Sequence, residues 1–134
     1  MRFALALILV AACSKSEPAK SGESNQPAKA DPAAAARATK DPAKAKEMIA
    51  NGAVVIDVRT ADEYAGEHLA QSTNIPLDQL GSRLADVEKL TGGDKSKPVV
   101  LHCAAGGRAG KAKKQLEEQG YTNVVNGGGY DDLH

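Results

Sequence analysis

The chain has 134 residues, and its 17 lysines and arginines balance its 17 aspartates and glutamates, which gives a formal net charge of +0. A nucleic-acid-binding domain usually carries a basic excess and aromatic side chains on which bases stack. Only 3% of this chain is aromatic, with one phenylalanine, three tyrosines and no tryptophan. The composition therefore argues against nucleic acid as a partner.

The start of the chain has the pattern of an export signal. Arg2 is followed by an apolar run over residues 3–12, which is too short to span a bilayer core of about 30 Å. A basic start, a short apolar segment and small residues before a cleavage point predict a secretory signal peptide over residues 1–12.

The residues around the cleavage point resemble the lipobox of bacterial lipoproteins, since Val10, Ala11 and Ala12 precede Cys13. In that family the cysteine receives a diacylglyceryl group, becomes the new N-terminus and is acylated. Two or more acyl chains anchor a protein stably to a membrane. Ser14 stands where an aspartate would mark inner-membrane retention. The resemblance implies an exported protein, lipidated at Cys13 and held at the periplasmic face of the outer membrane.

A polar segment separates this signal from the part that we expect to fold. Residues 13–38 are rich in alanine, lysine, serine and proline and nearly free of large apolar side chains. Such a segment cannot bury enough apolar surface to offset the entropy lost on ordering. The composition predicts a disordered tether over residues 13–38 and one domain over residues 39–134.

Helix and strand patterns alternate from Asp41 onward. Asp41 and Pro42 form a typical helix start, and the apolar β-branched run around Ile56 indicates a strand buried on both faces. The sequence predicts helices over residues 42–50, 60–64, 77–90 and 108–119, strands over 53–58, 98–101 and 121–125, an extended piece over 74–76 and a loop over 126–129. This alternation predicts an α/β fold with a small parallel sheet flanked by helices on both faces.

The segment from Cys103 to Arg108 connects a predicted strand to a predicted helix, where ligands of parallel sheets bind. Glycines in such a turn let backbone N–H groups converge on one point, and together with the helix dipole they favour an anion. We expect a thiolate to be stabilised there and the planar cation of Arg108 to bind an oxyanion. The predicted site consists of the nucleophile Cys103 and the loop residues Ala104, Ala105, Gly106, Gly107 and Arg108.

The chain contains two cysteines, and lipidation of Cys13 would leave Cys103 without a disulfide partner in the chain. A leftover cysteine in an exported protein suggests intermolecular pairing or a reactive thiol. The alternative is that Cys103 is a small core residue, which its glycine and arginine neighbours argue against. His102 is expected on the opposite side of the strand from Cys103, so a structural role is favoured over general-base catalysis.

The cysteine loop resembles the active site of the rhodanese family, the persulfide-forming sulfurtransferases. Further segments resemble that family's DVR, E-[YF], G-H-I and NIP signature and its glycine-aromatic turn: DVRTADEY at 57–64, GEHL at 66–69, NIPL at 74–77 and GGGY at 127–130. The order and spacing of these motifs agree with the family over nearly all of the predicted domain. The resemblance implies that Asp57 and Arg59 form a structural ion pair that braces the loop.

The resemblance also implies a reaction, in which sulfane sulfur moves from a donor such as thiosulfate to a thiol or cyanide acceptor through a persulfide on Cys103. Arg108 would orient the sulfonate end of the donor, and neither a metal nor an organic cofactor is needed. A protein thiol is a further candidate acceptor. The alternative function is a non-catalytic sulfur-carrier or protein-binding module of the rhodanese type.

Two other activities are disfavoured by the loop and the cysteine count. Rhodanese-like phosphatases have five residues between the cysteine and the arginine, whereas this chain has four, so its narrower loop favours a single sulfur atom over a phosphate. The same difference argues against an arsenate reductase. A thiol redox protein is disfavoured because the chain has no resolving cysteine.

Overall fold

The computed structural model describes residues 39–134. The predicted signal peptide over residues 1–12, the predicted lipidation site Cys13 and the predicted tether over residues 13–38 lie outside the described residues. Between residues 39 and 134, no helix combines the length and the apolar character needed to cross a membrane.

Four strands and six helices alternate along the described residues. The strands are β1 Val54–Asp57, β2 Ser72–Asn74, β3 Val99–Cys103 and β4 Val124–Gly129, and the helices are α1 Pro42–Ala50, α2 Ala61–Gly66, α3 Leu77–Leu80, α4 Leu84–Thr91, α5 Gly107–Glu118 and α6 Tyr130–Leu133. The sheet has the order β2-β1-β3-β4, and each neighbouring pair is parallel. The predicted α/β fold with a small parallel sheet is confirmed.

Each face of the sheet is covered by an apolar layer, because successive strand residues point to opposite faces. On one face, Ile56 and Leu101 pack with residues of α3, α4 and α5, including Leu116. On the other face, Val55 and Val100 pack with residues of α1 and α6. Each fully buried leucine or isoleucine contributes about 1.5–3 kcal/mol, so these two layers hold the helices on the sheet.

The first two helices begin at side-chain caps, and the sequence predicts the one at Asp41. The Asp41 side chain accepts a hydrogen bond from the Lys44 amide at 2.9 Å, directly before Pro42 at the start of α1. Thr60 and Glu63 form a reciprocal capping box at the start of α2, in which each side chain accepts a hydrogen bond from the other residue's amide. This box fixes the position of the Glu63 carboxylate.

The single helix predicted over residues 77–90 is wrong, because the chain forms α3 and α4 with a turn over residues 81–83 between them. Gly81 and Ser82 have low helix propensity, and the Ser82 and Arg83 amides bond to the Gln79 carbonyl at 3.1 and 2.9 Å as a tight turn. The break still allows Leu80 and Val87 to be buried in the same apolar layer. The extended piece predicted over residues 74–76 also differs, since β2 ends at Asn74.

The loop predicted over residues 126–129 is wrong, because these residues belong to β4. Glycine is depleted in strands, but close packing explains the presence of three glycines in β4. A β-carbon on Gly127 would lie 2.9 Å from Leu133 Cδ1, and one on Gly129 would lie 2.5 Å from the Ala104 carbonyl oxygen. The glycines therefore let β4 run directly beneath α6 and beside the cysteine loop.

Candidate active site

Cys103 is the last residue of β3 and not, as predicted, the first residue of the loop after it. Its side chain belongs to the apolar layer that includes α5 and is 1% exposed. Ala104 and Ala105, which follow it, are exposed. The thiol therefore lies at the base of a loop that returns at once to the surface.

Gly106 provides the polar contact on the sulfur. Its amide donates a hydrogen bond to Cys103 Sγ at 3.0 Å, and it directly precedes α5. Its φ of +93° is one that L side chains rarely adopt, and a β-carbon there would lie 3.2 Å from Gly128 Cα. The backbone donor and the positive end of the 12-residue helix α5 both favour negative charge on this sulfur.

Asn126 locks the cysteine loop to β4. Its Nδ2 donates to the Gly106 carbonyl at 3.0 Å, and its Oδ1 accepts a hydrogen bond from the Gly128 amide at 3.0 Å. The side chain is fully buried. Sequence reasoning missed this residue because it lay in a predicted loop; a polar side chain before three glycines was the signal that could have marked it.

Lys40 and Asp132 form a second clamp beside the same loop. Asp132 Oδ2 accepts hydrogen bonds from the Gly129 amide at 2.8 Å and from Lys40 Nζ at 3.0 Å, and these two bonds lower the pKa of the Asp132 carboxyl. The Lys40 side chain passes Gly106, since a β-carbon built on that glycine would lie 3.4 Å from Lys40 Cδ. No local pattern in the sequence marks this pair, whose members are 92 residues apart.

Arg108, in the first turn of α5, is paired with Glu63. Its Nη1 and Nη2 donate to the two carboxylate oxygens at 2.7 and 2.9 Å. Hydrogen bonds from Arg108 and then from Thr60 lower the pKa of Glu63 to about 2, and the same carboxylate raises the pKa of Arg108. The sequence predicted a guanidinium available to a donor oxyanion, whereas the structure places a carboxylate of the chain on it.

Asp57 and Arg59 lie together at the end of β1, as the resemblance implied. Arg59 Nη2 donates to Asp57 Oδ2 at 2.8 Å and to the Glu67 carbonyl at 2.6 Å, and its guanidinium lies 5.0 Å from the centre of the Tyr130 ring. The hydrogen bond that Arg59 donates to the Asp57 carboxylate raises the pKa of Arg59. These contacts brace the connection after α2 and the C-terminal helix α6, which itself packs on β4.

His102 lies on the opposite face of the sheet from Cys103 and is fully buried. Its Nε2 is 3.7 Å from Asp57 Oδ2, and neither ring nitrogen makes a hydrogen bond. Burial lowers the pKa of His102 and outweighs the opposing effect of Asp57. A neutral imidazole on the far face suits a structural residue better than a base acting on the thiol.

Comparison with known proteins agrees with this geometry. The family model described as Rhodanese-like domain matches residues 41–133. Thiosulfate sulfurtransferase PspE of Escherichia coli (strain K12) is 41% identical over 78 residues, covering 58% of this chain and 71% of PspE. Thiosulfate:glutathione sulfurtransferase of Saccharomyces cerevisiae is 34% identical over 78 residues, covering 53% of this chain and 56% of the yeast protein.

A solved structure described as rhodanese with anions from E. coli superposes with a TM-score of 0.55 at 39% sequence identity, covering 61% of this chain and 92% of that one. The matched region of the family model extends from the cap of α1 to the last residue of α6 and includes the cysteine loop. The chain belongs to the rhodanese-like domain family.

Proposed function

We propose that this protein moves sulfane sulfur from a donor such as thiosulfate to a thiol or cyanide acceptor, with Cys103 carrying the sulfur as a persulfide. It is an enzyme of the rhodanese sulfurtransferase type. The observation that carries the proposal is the Gly106 amide on Cys103 Sγ at 3.0 Å, at the start of α5. This arrangement stabilises a sulfur anion without a metal or an organic group.

The reaction proceeds in two displacements. The Cys103 thiolate attacks the outer sulfur of thiosulfate; a new S–S bond forms, and the S–S bond of the donor breaks as sulfite leaves with the electron pair. An acceptor thiolate or cyanide then attacks the outer sulfur of the persulfide. That S–S bond breaks, Cys103 leaves as the thiolate, and the product is an acceptor persulfide or thiocyanate.

The loop supports both steps through its backbone. Gly106 donates to the sulfur in the resting enzyme, and Asn126 holds the Gly106 peptide through its carbonyl. Such preorganised donors act where charge develops and need no rearrangement during the reaction. The solved E. coli rhodanese, 39% identical to this chain, is described as containing anions, which supports a site that binds negative charge.

Besides cyanide, the proposed acceptor is a thiol, either of a small molecule or of a protein. The yeast relative is named for glutathione as well as for thiosulfate, which supports a thiol in that role. Arg108→Ala should weaken the use of thiosulfate more than the use of the acceptor, because the guanidinium acts on the sulfonate end of the donor. Equal losses with both substrates would contradict this role for Arg108.

The test is intact mass spectrometry of the purified protein before and after thiosulfate. A gain of one sulfur atom, about 32 Da, that cyanide removes and that Cys103→Ser abolishes establishes the persulfide. Cys13→Ser is the matched control because it removes the other cysteine of the chain and should keep the gain. Sulfur loading without turnover to any acceptor would favour a sulfur carrier, whereas no loading would refute the proposal.

The site of action proposed here is the periplasmic face of the outer membrane. The signal pattern over residues 1–12 and the lipobox before Cys13 support export and lipidation, and the polar residues 13–38 would separate the domain from the membrane. Cys13→Ala should release the protein from membranes, measured by fractionation. Continued membrane retention of that variant would rule out the lipid anchor.

A further inference from the structure

The contact between Glu63 and Arg108 bears on which sulfur donors the site accepts. One N–H from each terminal nitrogen of Arg108 points at one oxygen of the carboxylate, at 2.7 and 2.9 Å. This is the fork-to-fork geometry in which a guanidinium also binds a sulfonate or a phosphate. A donor sulfonate and Glu63 would therefore compete for the same two donors.

Glu63 is held for this contact from its other side. Its Oε2 also accepts hydrogen bonds from the Thr60 amide at 3.1 Å and from Thr60 Oγ1 at 3.0 Å. Thr60 is the N-cap of α2, so the carboxylate is fixed by a helix start before any substrate arrives. Displacing Glu63 from Arg108 would leave a carboxylate beside the bound donor, because Thr60 keeps it in place.

The pair is also partly exposed, with 34% of the Arg108 side chain and 37% of the Glu63 side chain accessible. A solute can therefore reach it from water. Arg108 lies in the first turn of α5, two residues after Gly106, whose amide contacts Cys103 Sγ. The contact with Glu63 therefore lies at the end of α5 that faces the thiol.

We propose that Glu63, by occupying the Arg108 guanidinium, is a specificity-determining residue that disfavours sulfonate-bearing donors such as thiosulfate relative to alkyl persulfides. An alkyl persulfide presents a terminal sulfur and no sulfonate, so it needs the loop amides and not the guanidinium. This inference rests on the proposed sulfurtransferase function and concerns the donor class of the same site.

The test compares two donors in single-turnover loading of the full chain, followed by mass spectrometry. Thiosulfate and cysteine persulfide are titrated against the wild type and Glu63→Gln, and the half-saturating concentration and the maximal loading rate are recorded. Glutamine preserves the capping box. Removing one charge within a Debye length of a divalent anion should lower the half-saturating thiosulfate concentration about fivefold to tenfold.

Three further values should change little. The maximal loading rate with thiosulfate should stay within about twofold of the wild type, because Glu63 is proposed to compete with binding of the donor and not to affect the displacement step. Both constants for cysteine persulfide should also stay within about twofold, because this donor has no sulfonate. Asp62→Asn is the matched control, because Asp62 is exposed, lies in the same helix and carries the same charge. Its thiosulfate constants should stay within about twofold of the wild type, as expected for a screened surface charge.

Two additional measurements distinguish competition for Arg108 from a general effect of charge. The half-saturating thiosulfate concentration should rise more steeply with salt in Glu63→Gln than in the wild type, because the variant exposes the cation. In an Arg108→Ala background, most of the effect of Glu63→Gln should disappear. A full effect in that background would overturn the inference.

An unchanged or raised half-saturating thiosulfate concentration in Glu63→Gln, or an equal change for both donors, would also overturn it. Both results leave the proposed function standing, since the wild type still loads sulfur. Absence of sulfur on Cys103 of the wild type with either donor would instead refute the proposed function and this inference together.

Discussion

Gly106→Ala tests whether the backbone of the cysteine loop carries the chemistry. Gly106 has a φ of +93° and Gly52, in the turn between α1 and β1, has a φ of +86°. Forcing alanine into this conformation costs about 1–3 kcal/mol at either position. Alanine also reduces the freedom of the unfolded chain, which offsets a similar part of this cost in both variants. The difference in unfolding free energy between the two variants therefore reports on the surroundings of Gly106.

The surroundings of the two glycines differ sharply. A β-carbon on Gly52 meets nothing within 4 Å, whereas one on Gly106 lies 3.2 Å from Gly128 Cα, a backbone atom of β4. That atom cannot move without disturbing the sheet, and a tight contact of this kind costs about a further 1 kcal/mol. Urea denaturation should therefore show Gly106→Ala to be less stable than Gly52→Ala by about this amount.

The same contact should displace the Gly106 amide from Cys103 Sγ. A hydrogen bond to a charged group is worth about 1.5–3 kcal/mol, so losing about half of it should slow sulfur loading from thiosulfate about tenfold. Gly52→Ala should load at the wild-type rate. Wild-type loading by Gly106→Ala would refute the claim that this amide stabilises the sulfur, whatever the stability of the variant.

Three further predictions concern the groups around the site. Asp57→Ala leaves the Arg59 guanidinium buried without its carboxylate and should lower the free energy of unfolding by about 3–5 kcal/mol in urea denaturation; a loss under about 1 kcal/mol would contradict this. Asn126→Ala removes the partner of the Gly106 carbonyl and should cost about 1–3 kcal/mol and slow sulfur loading, and normal loading would show that the loop holds its shape unaided. Glu63 has a folded-state pKa of about 2 against an ordinary value of 4.5, so the stability that it provides should be constant above about pH 5 and lost as the pH falls toward 2. The wild type and Glu63→Gln should differ in unfolding free energy by less than about 1 kcal/mol for so exposed a pair, and this difference should vanish near pH 2. A difference that grew in acid would contradict the prediction.

The sheet and most helices could be predicted because their signals are local. Asp41 before Pro42 and Thr60 three residues before Glu63 mark two helix starts, and uninterrupted β-branched runs mark the buried strands. The prediction failed for residues 81–83 because the apolar spacing was continued through Gly81 and Ser82 despite their low helix propensity. It failed for residues 126–129 because glycine was interpreted by its usual preference for loops. In β4 that preference is overridden by tertiary packing, since Leu133 and Ala104 leave no room for a side chain.

The site was predicted in its nucleophile and its loop but not in the contacts that hold them. Glu63 meets Arg108 across 45 residues, and Asn126 meets Gly106 across 20. Such pairs depend on the strand order β2-β1-β3-β4, which places the ends of β1, β3 and β4 side by side. No single segment contains that information, so a family motif can mark Glu63 without indicating what it touches.

The two cations beside the cysteine loop lead to one conclusion about how the site holds negative charge. Arg108 is bound to Glu63, and Lys40 is bound to Asp132. Because both cations are paired with carboxylates, the Gly106 amide and the dipole of α5 supply the attraction for an anion at Cys103. Backbone donors at about 3 Å act on one nearby atom, whereas a guanidinium attracts a whole oxyanion. The loop is therefore built to stabilise a single charged sulfur, and a sulfonate contacts Arg108 only when it displaces Glu63.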